Sequence, residues 1–330
     1  MPKTVKSAFD QFMKGSVNLD NQRTTIARNS RDFLVKKIDG FSDFLPLYSD
    51  RNIGYGSFAR RTKIRDLDDI DLIFTLSANG CTWSEDTDGT VYIHTPENSE
   101  DYRNFCHDSS SLLNSRMIIN KFISSLKTIP HYSTAKIHRN MHSATFLLNS
   151  YEWNFDIVPA FFTNEDVHGR TFYIIPNGHG HWMKTDPRID QKRITAINQR
   201  QKGRLLNIVR LAKYWQKRST MPRMPSYLLE SLVLNFCENN ALSEYIDIAF
   251  INLLEFLSIK IYDSFDDPKG IDGDINTLSV EDRKKISIKA QSDLITARKA
   301  YNLEIIHLDQ ERSIKEWKNI FGSDFPNYTE

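Results

Sequence analysis

The sequence predicts an α+β protein of two lobes. Three observations carry this. Strand-like and helix-like segments mix up to about residue 190. Every convincing apolar pattern after that has a helical period. Between the two textures lies PNGHGHWMKTDPRID (176–190), with the Gly and Pro of a crossing between lobes. At 330 residues, 40% of them hydrophobic, the chain is long enough for two lobes and apolar enough to bury a substantial core.

Residues 4–14 and about 20–39 read as helices. In the second, Ile26, Ala27, Phe33, Leu34 and Ile38 form a stripe at helical spacing, with Asn18 or Asp20 as cap and Gly40 as the end. Residues 54–64 read as a Gly turn and a short helix, and IDLIFTL (70–76) as a strand. Residues 77–90 look like a loop, and VYIHT (91–95) like another strand. Residues 110–129 are expected to be helical, with Leu113, Met117, Phe122 and Leu126 among the apolar positions and Pro130 as terminator. SATFLLN (143–149) and EWNFDIVPAFF (152–162) read as strands, with a hairpin at Asn149-Ser150 between them. Five helical patterns follow: RLLNIVRLAKYWQKR, SYLLESLVLNFCEN, FINLLEFLSIKIYDSF, SVEDRKKISIKAQSDLITARKAYNLEI and SIKEWKNIF. No internal repeat or low-complexity tract interrupts them.

Bulk properties exclude several classes. The formal net charge of +1 is far from that of a protein that coats DNA. Cys81, Cys106 and Cys237 are dispersed and odd in number, so neither a disulfide framework nor a zinc ribbon is expected. The opening MPKTVKSAFDQFMKG has no apolar h-region, and no run of about eighteen apolar residues occurs, so a soluble cytoplasmic protein is expected.

Chemistry concentrates at GYGSFARRTKIRDLDDIDLIFTL (54–76). Asp66, Asp68, Asp69 and Asp71 precede or open the apolar strand. Strand parity separates them. Asp69 and Asp71 share one face, about 6–7 Å apart along the strand, whereas Ile70, Leu72, Phe74 and Leu76 share the other and must meet the core. Asp66 and Asp68 read as turn residues. Two neighbouring carboxylates raise one another's pKa unless a cation intervenes, and a hard divalent ion with oxygen ligands answers that need. Gly56 permits close approach of backbone to a phosphate, and Ser57 adds a hydroxyl. In YEWNFDIVPAF, Asp156 lies on the polar parity of a strand whose other face, Tyr151, Trp153, Phe155 and Ile157, is apolar. That makes it a candidate third carboxylate, as metal ligand and general base.

A Gly-Ser pair, an Asp-x-Asp a dozen residues on and a third Asp on a later strand resemble the polymerase-β-like nucleotidyltransferases. More narrowly, the chain resembles the bacterial cyclic-oligonucleotide synthases related to cyclic GMP-AMP synthase and oligoadenylate synthase, the CD-NTases. The likeness spans nearly the whole chain: ARNSRDFL, GYGSFARRTKIRDLDDIDLIF, FDIVPAF, HWMKTDP, RLLNIVRLAKYWQ, MPSYLLESL, FDDPKG and WKNIFGSDFP. It implies a polymerase-β-like core of mixed sheet flanked by helices, with a C-terminal helical lobe. Residues 1–40 would brace both lobes, 41–185 would form the core, and 186–330 would complete the active-site cleft.

Carried over residue by residue, the resemblance implies that Gly56 and Ser57 hold donor phosphates. Asp69, Asp71 and Asp156 would bind two Mg2+ ions, with Mn2+ as a substitute. Lys213 would neutralise the triphosphate, Ser226 would bond a phosphate, and Tyr227 would stack on the donor base. The implied reaction joins NTPs, ATP among them, into a cyclic di- or trinucleotide with release of pyrophosphate. Its product would be sensed by a separate effector in bacterial antiphage signalling, with room for a regulatory protein partner and a monomeric enzyme. Linear or single transfer and a catalytically inactive nucleotide-sensing scaffold are the competing readings; the intact acidic set argues against the scaffold. The zinc insertion of vertebrate cyclic GMP-AMP synthases has no counterpart among these cysteines, so no DNA activation by that route is expected. His179 and His181, with no Cys or third ligand in sequence, read as loop residues. The basic stretch Arg188–Arg218 is open to three readings: a phosphate-facing lining, an RNA or partner surface, or a solvated helix face.

Overall fold

The computed structural model describes residues 2–132, 134–148 and 151–329. In chain order its elements are α1 (Val5–Phe12), α2 (Asn21–Asp39), β1 (Ile53–Tyr55), α3 (Gly56–Ala59), β2 (Asp69–Leu76), β3 (Thr82–Glu85) and β4 (Val91–His94). Then come α4 (Ser115–Leu126), β5 (Lys136–Asn140), β6 (Ser143–Leu147), β7 (Asn154–Phe162), β8 (Tyr173–Pro176) and β9 (Trp182–Thr185). The helices α5 (Pro187–Arg200), α6 (Leu205–Lys217), α7 (Ser226–Asn239), α8 (Ile246–Lys260), α9 (Val280–Ile305) and α10 (Gln310–Phe321) complete the chain. None of the described helices is long and apolar enough to cross a membrane.

The chain forms two compact units. One holds residues 22–60 and 67–188; the other holds 1–21, 61–66 and 189–330. The sequence reading set boundaries at residues 40 and 185. The first helix belongs with the helical unit, the second with the sheet, and the short piece 61–66 returns to the helices.

The sheet unit carries one mixed sheet in the order β1-β2-β7-β8-β9-β4-β3, with β6 beside the start of β7 and β5 outside β6. β2 and β7 run parallel, which requires a crossover, and α4 lies in the connecting chain. Beyond their first three residues both strands are buried on both faces, up to the half-buried Phe162 that ends β7. On one face Phe74 meets Phe122 of α4 at 6.2 Å between ring centroids. On the other, Ile73, Val158, Ala160, Tyr173 and Ile175 form a second cluster. The even positions 70, 72, 74 and 76 are core as expected, and Ile73 and Thr75 on the odd face are buried too.

The structure departs from the sequence reading at several places. In α2 the buried stripe is Ala27, Ser30, Leu34 and Ile38, while Ile26 and Phe33 are exposed. Phe33 instead sits edge-on to His131 and beneath Lys37. Met117 on α4 is likewise exposed. The loop 77–90 contains β3, whose four residues are all exposed, and 176–190 contains the end of β8, β9 and the start of α5. β6 and β7 pair antiparallel; the Asn149-Ser150 turn expected between them lies outside the described residues.

In the helical unit, α7 is buried at Leu228 to Leu234, Phe236 and Cys237. Trp215, Trp317, Phe250, Phe321 and Phe325 belong to the same apolar core. α1 joins this core through Phe9, edge-on to Trp317 at 4.9 Å, and Phe12, edge-on to Tyr214 at 4.9 Å. Its start is fixed by a capping box between Thr4 and Ser7.

Candidate active site

Strand register builds the acidic cluster. Asp71 lies directly opposite Asp156 in the parallel β2–β7 pair, and Asp69 lies opposite Asn154. Neighbouring strands are about 4.8 Å apart and side chains alternate, so Asp69, Asp71 and Asp156 share one face. All three are half-buried. Tyr55 on β1 is opposite Asp71 from the other side. Burial, then the charges of Asp71, Asp156 and Asp69, push its phenol well above the usual tyrosine pKa.

Two devices position these carboxylates. Gly56 has φ +68°, and a Cβ there would sit 2.6 Å from Asp71 Cγ, inside its carboxylate. The glycine therefore leaves room for the Asp71 carboxylate. Asp156 Oδ1 accepts from Thr145 Oγ1 at 2.5 Å and from Ser143 Oγ at 3.2 Å, both on β6. Thr145 is Asp156's register partner, so the same sheet that places the acid also aims it.

The donor set suits a hard cation: three carboxylates, no thiolate and no imidazole. Among the described residues, no three His, Cys, Asp or Glu side chains are gathered closely enough to hold an ion as they stand. The chemistry of these donors fits the group, and register brings them to one face. Closing the oxygens onto a cation would take side-chain rotation. Ser57 follows Gly56 in α3, a single turn, and is half-buried. Asp66 and Asp68 are exposed, outside the shared face.

The other expected residues belong to the helical unit. Lys213 on α6 is half-buried and paired with Glu230 Oε2 at 2.5 Å. Its Nζ also donates to Thr62 Oγ1 at 3.3 Å, and Thr62 donates to the same Glu230 oxygen at 2.9 Å. Lys213 is thus an oriented cation within a polar network rather than a solvated helix lysine. Ser226 opens α7 with an exposed side chain. Tyr227 follows; its hydroxyl donates towards Asp190 at 2.9 Å and Asp267 at 3.2 Å, and Lys269 lies 4.5 Å from its ring centroid.

Sequence reading missed Tyr55, Thr145, Ser143, Glu230, Thr62, Asp190 and the Asp267–Lys269 loop. Glu230 ends the quoted P-S-Y-L-L-E, and Asp267 and Lys269 lie in FDDPKG, so both motifs carried an unused signal. Several basic side chains of the stretch 188–218 are tied to the protein's own acceptors. Arg193 pairs with Glu238 at 2.7 Å, Arg204 donates to the Leu242 carbonyl at 3.1 Å, and Arg210 donates to the Arg61 carbonyl at 2.8 Å. His181 packs 4.7 Å from His107, whose Nε2–H donates to the Gly180 carbonyl at 3.1 Å. These rings pack within the sheet unit.

No protein-family model matches the chain. It is 41% identical to a probable cyclic nucleotide synthase of Bacillus cereus, over 99% of both chains. It is 24% identical to the cyclic AMP-AMP-AMP synthase of Escherichia coli, over 69% of this chain and 63% of that one. Among solved structures, E. coli CdnC in complex with HORMA-deltaN shares the fold at TM-score 0.70 and 19% identity, over 98% of each chain. E. coli DncV bound to 3'-deoxy GTP does so at TM-score 0.57 and 14% identity, over 84% of this chain and 70% of that one. By its sequence the chain belongs to the bacterial cyclic nucleotide synthases, the CD-NTases, and is a nucleotidyltransferase.

Proposed function

We propose that the protein is a metal-dependent synthase that joins NTPs, ATP among them, into a cyclic di- or trinucleotide. The observation that carries this is the register of Asp71 against Asp156, with Asp69 on the same face and Gly56 set against Asp71. A ribose 2′- or 3′-hydroxyl of one nucleotide attacks the α-phosphate of another. A new O–P bond forms, the bond to pyrophosphate breaks, and Asp156 takes the hydroxyl proton. Asp69, Asp71 and Asp156 would hold Mg2+, or Mn2+, whose charge would polarise the phosphate and stabilise the leaving oxygens. Gly56 and Ser57 bind donor phosphates. Lys213 supplies positive charge, Ser226 a hydroxyl and Tyr227 a stacking surface. A second transfer closes the ring.

The wider setting is part of the same proposal. We place the enzyme in the cytoplasm, in antiphage signalling, with a separate effector that senses its product. The complex of CdnC with HORMA-deltaN supports a regulatory protein partner. The structure of CdnC with ATP supports NTP substrates. The test is incubation with four labelled NTPs and Mg2+ or Mn2+, then phosphatase and mass spectrometry. A labelled, phosphatase-resistant cyclic product is expected. A product wholly consumed by phosphatase would establish linear transfer instead, and no product with any NTP would overturn the enzymatic reading.

A further inference from the structure

The motif FDDPKG (265–270) has no part in the acidic cluster, yet it is built with unusual care. Asp267 is buried, and its side chain organises the loop. It accepts from the backbone N–H groups of Lys269 at 3.2 Å, Ile271 at 3.3 Å and Asp272 at 3.1 Å. Burial would raise its pKa, but these N–H groups and the Lys269 charge hold it below the usual range. Gly270, at φ +65°, closes the turn with its N–H on the Asp267 carbonyl at 2.8 Å. Asp274 fastens the far end by accepting from Phe265 and Asn276 N–H, both at 2.8 Å.

What this loop presents is Tyr227. The hydroxyl is held between Asp267 and Asp190, the latter on the first turn of α5 and itself buried. Lys269 covers one ring face and pairs with Asp267 at 3.5 Å. Filling this half-buried position needs only a phenylalanine. Burying two carboxylates to grip a phenol costs desolvation that packing alone does not require. The arrangement fixes both the tilt of the ring and which face is covered.

We infer that Asp267, Lys269 and Asp190 are positioning residues that clamp Tyr227 so that the face away from Lys269 receives a nucleobase of an NTP. This rests on the proposed function for the identity of the ligand. The clamp explains why a loop far along the chain from the carboxylates has its own dense set of hydrogen bonds. Any base has a π-face, so the surface itself is sequence-tolerant, and its contribution depends on being held in place.

The test uses 2-aminopurine riboside triphosphate, whose fluorescence is quenched on stacking, with the full-length protein. Wild type is expected to quench it. Tyr227→Ala should abolish the quench. Lys269→Met and Tyr227→Phe should keep the quench but weaken binding about tenfold, the scale of one lost polar contact. In product assays both should raise KM by a similar factor and leave kcat unchanged. Asp267→Asn should follow them if its melting temperature is retained; Lys269→Met and Tyr227→Phe decide the matter if it is not. Wild-type affinity in both Lys269→Met and Tyr227→Phe would overturn the clamp, as would an unaltered quench in Tyr227→Ala. A wild type that quenches the probe, with weaker binding in the variants, but forms no product from any NTP would sink the synthase reading and leave the clamp supported.

Discussion

The two units handle charge in opposite ways. In the sheet unit, register brings Asp71, Asp156 and Asp69 to one face beside Tyr55, so like charges are gathered. In the helical unit, buried or half-buried lysines are met by carboxylates: Lys213 by Glu230, Lys269 by Asp267, Lys289 by Asp293. The first arrangement opposes stability and suits a site that a cation completes. The second is neutralised within the fold and suits orientation. Residues of the first kind should therefore cost turnover when changed, and residues of the second should cost stability or substrate affinity.

The largest effect is expected for Asp156→Asn. Amide for carboxylate keeps an acceptor for Thr145 but removes a charge from the cluster. Product formation should fall at least about a thousandfold, the scale of about 4 kcal/mol of lost transition-state stabilisation. The melting temperature should hold or rise, as calorimetry alongside the assay will record. Glu230→Ala is the converse. It strands Lys213 in a buried setting and should lower unfolding free energy by about 3–5 kcal/mol in a urea titration.

Gly56→Ala falls between the two classes. The new methyl meets the Asp71 carboxylate and φ is positive. Displacing a reacting group by about 1 Å can cost about a hundredfold in rate, and a left-handed alanine about 1–2 kcal/mol of stability. Steady-state kinetics and melting together should register both losses. Thr145→Val keeps the strand and removes the 2.5 Å bond to Asp156. About a tenfold loss in kcat with little change in KM is expected, as for loss of a supporting contact behind a ligand.

The smallest effect concerns acid. Burial first, then His107 and Arg116, lowers the pKa of His181 below its usual value. The folded state therefore binds fewer protons than the unfolded one near pH 6. The stabilisation is complete above about pH 6.5 and declines as pH falls through the folded pKa. His181→Gln should flatten that part of the stability–pH curve; an unchanged slope would show that other groups set it.

The acidic cluster was legible because its information is local. Period-two alternation around Ile70–Leu76 and Phe155–Ile157 separates Asp69, Asp71 and Asp156 from neighbours that bury. Tyr55 was not legible, since it sits in a turn-like GYGS and acquires its role only through register with Asp71. Glu230 and Thr62 are 168 residues apart in the chain and no period connects them. β3 and β5 escaped notice because nearly all their residues face solvent, which leaves no apolar alternation to read. Ile26 and Phe33 had the right spacing for a stripe, but only the narrower line through Ala27, Leu34 and Ile38 meets the core.

The central claim is that the in-register carboxylates perform nucleotidyl transfer. It is tested most directly by the paired variant Asp69→Asn with Asp71→Asn, incubated beside wild type with labelled NTPs and Mg2+. Wild type should release pyrophosphate and form a phosphatase-resistant product; the folded double variant should form neither. Equal synthesis by the two proteins would contradict the account.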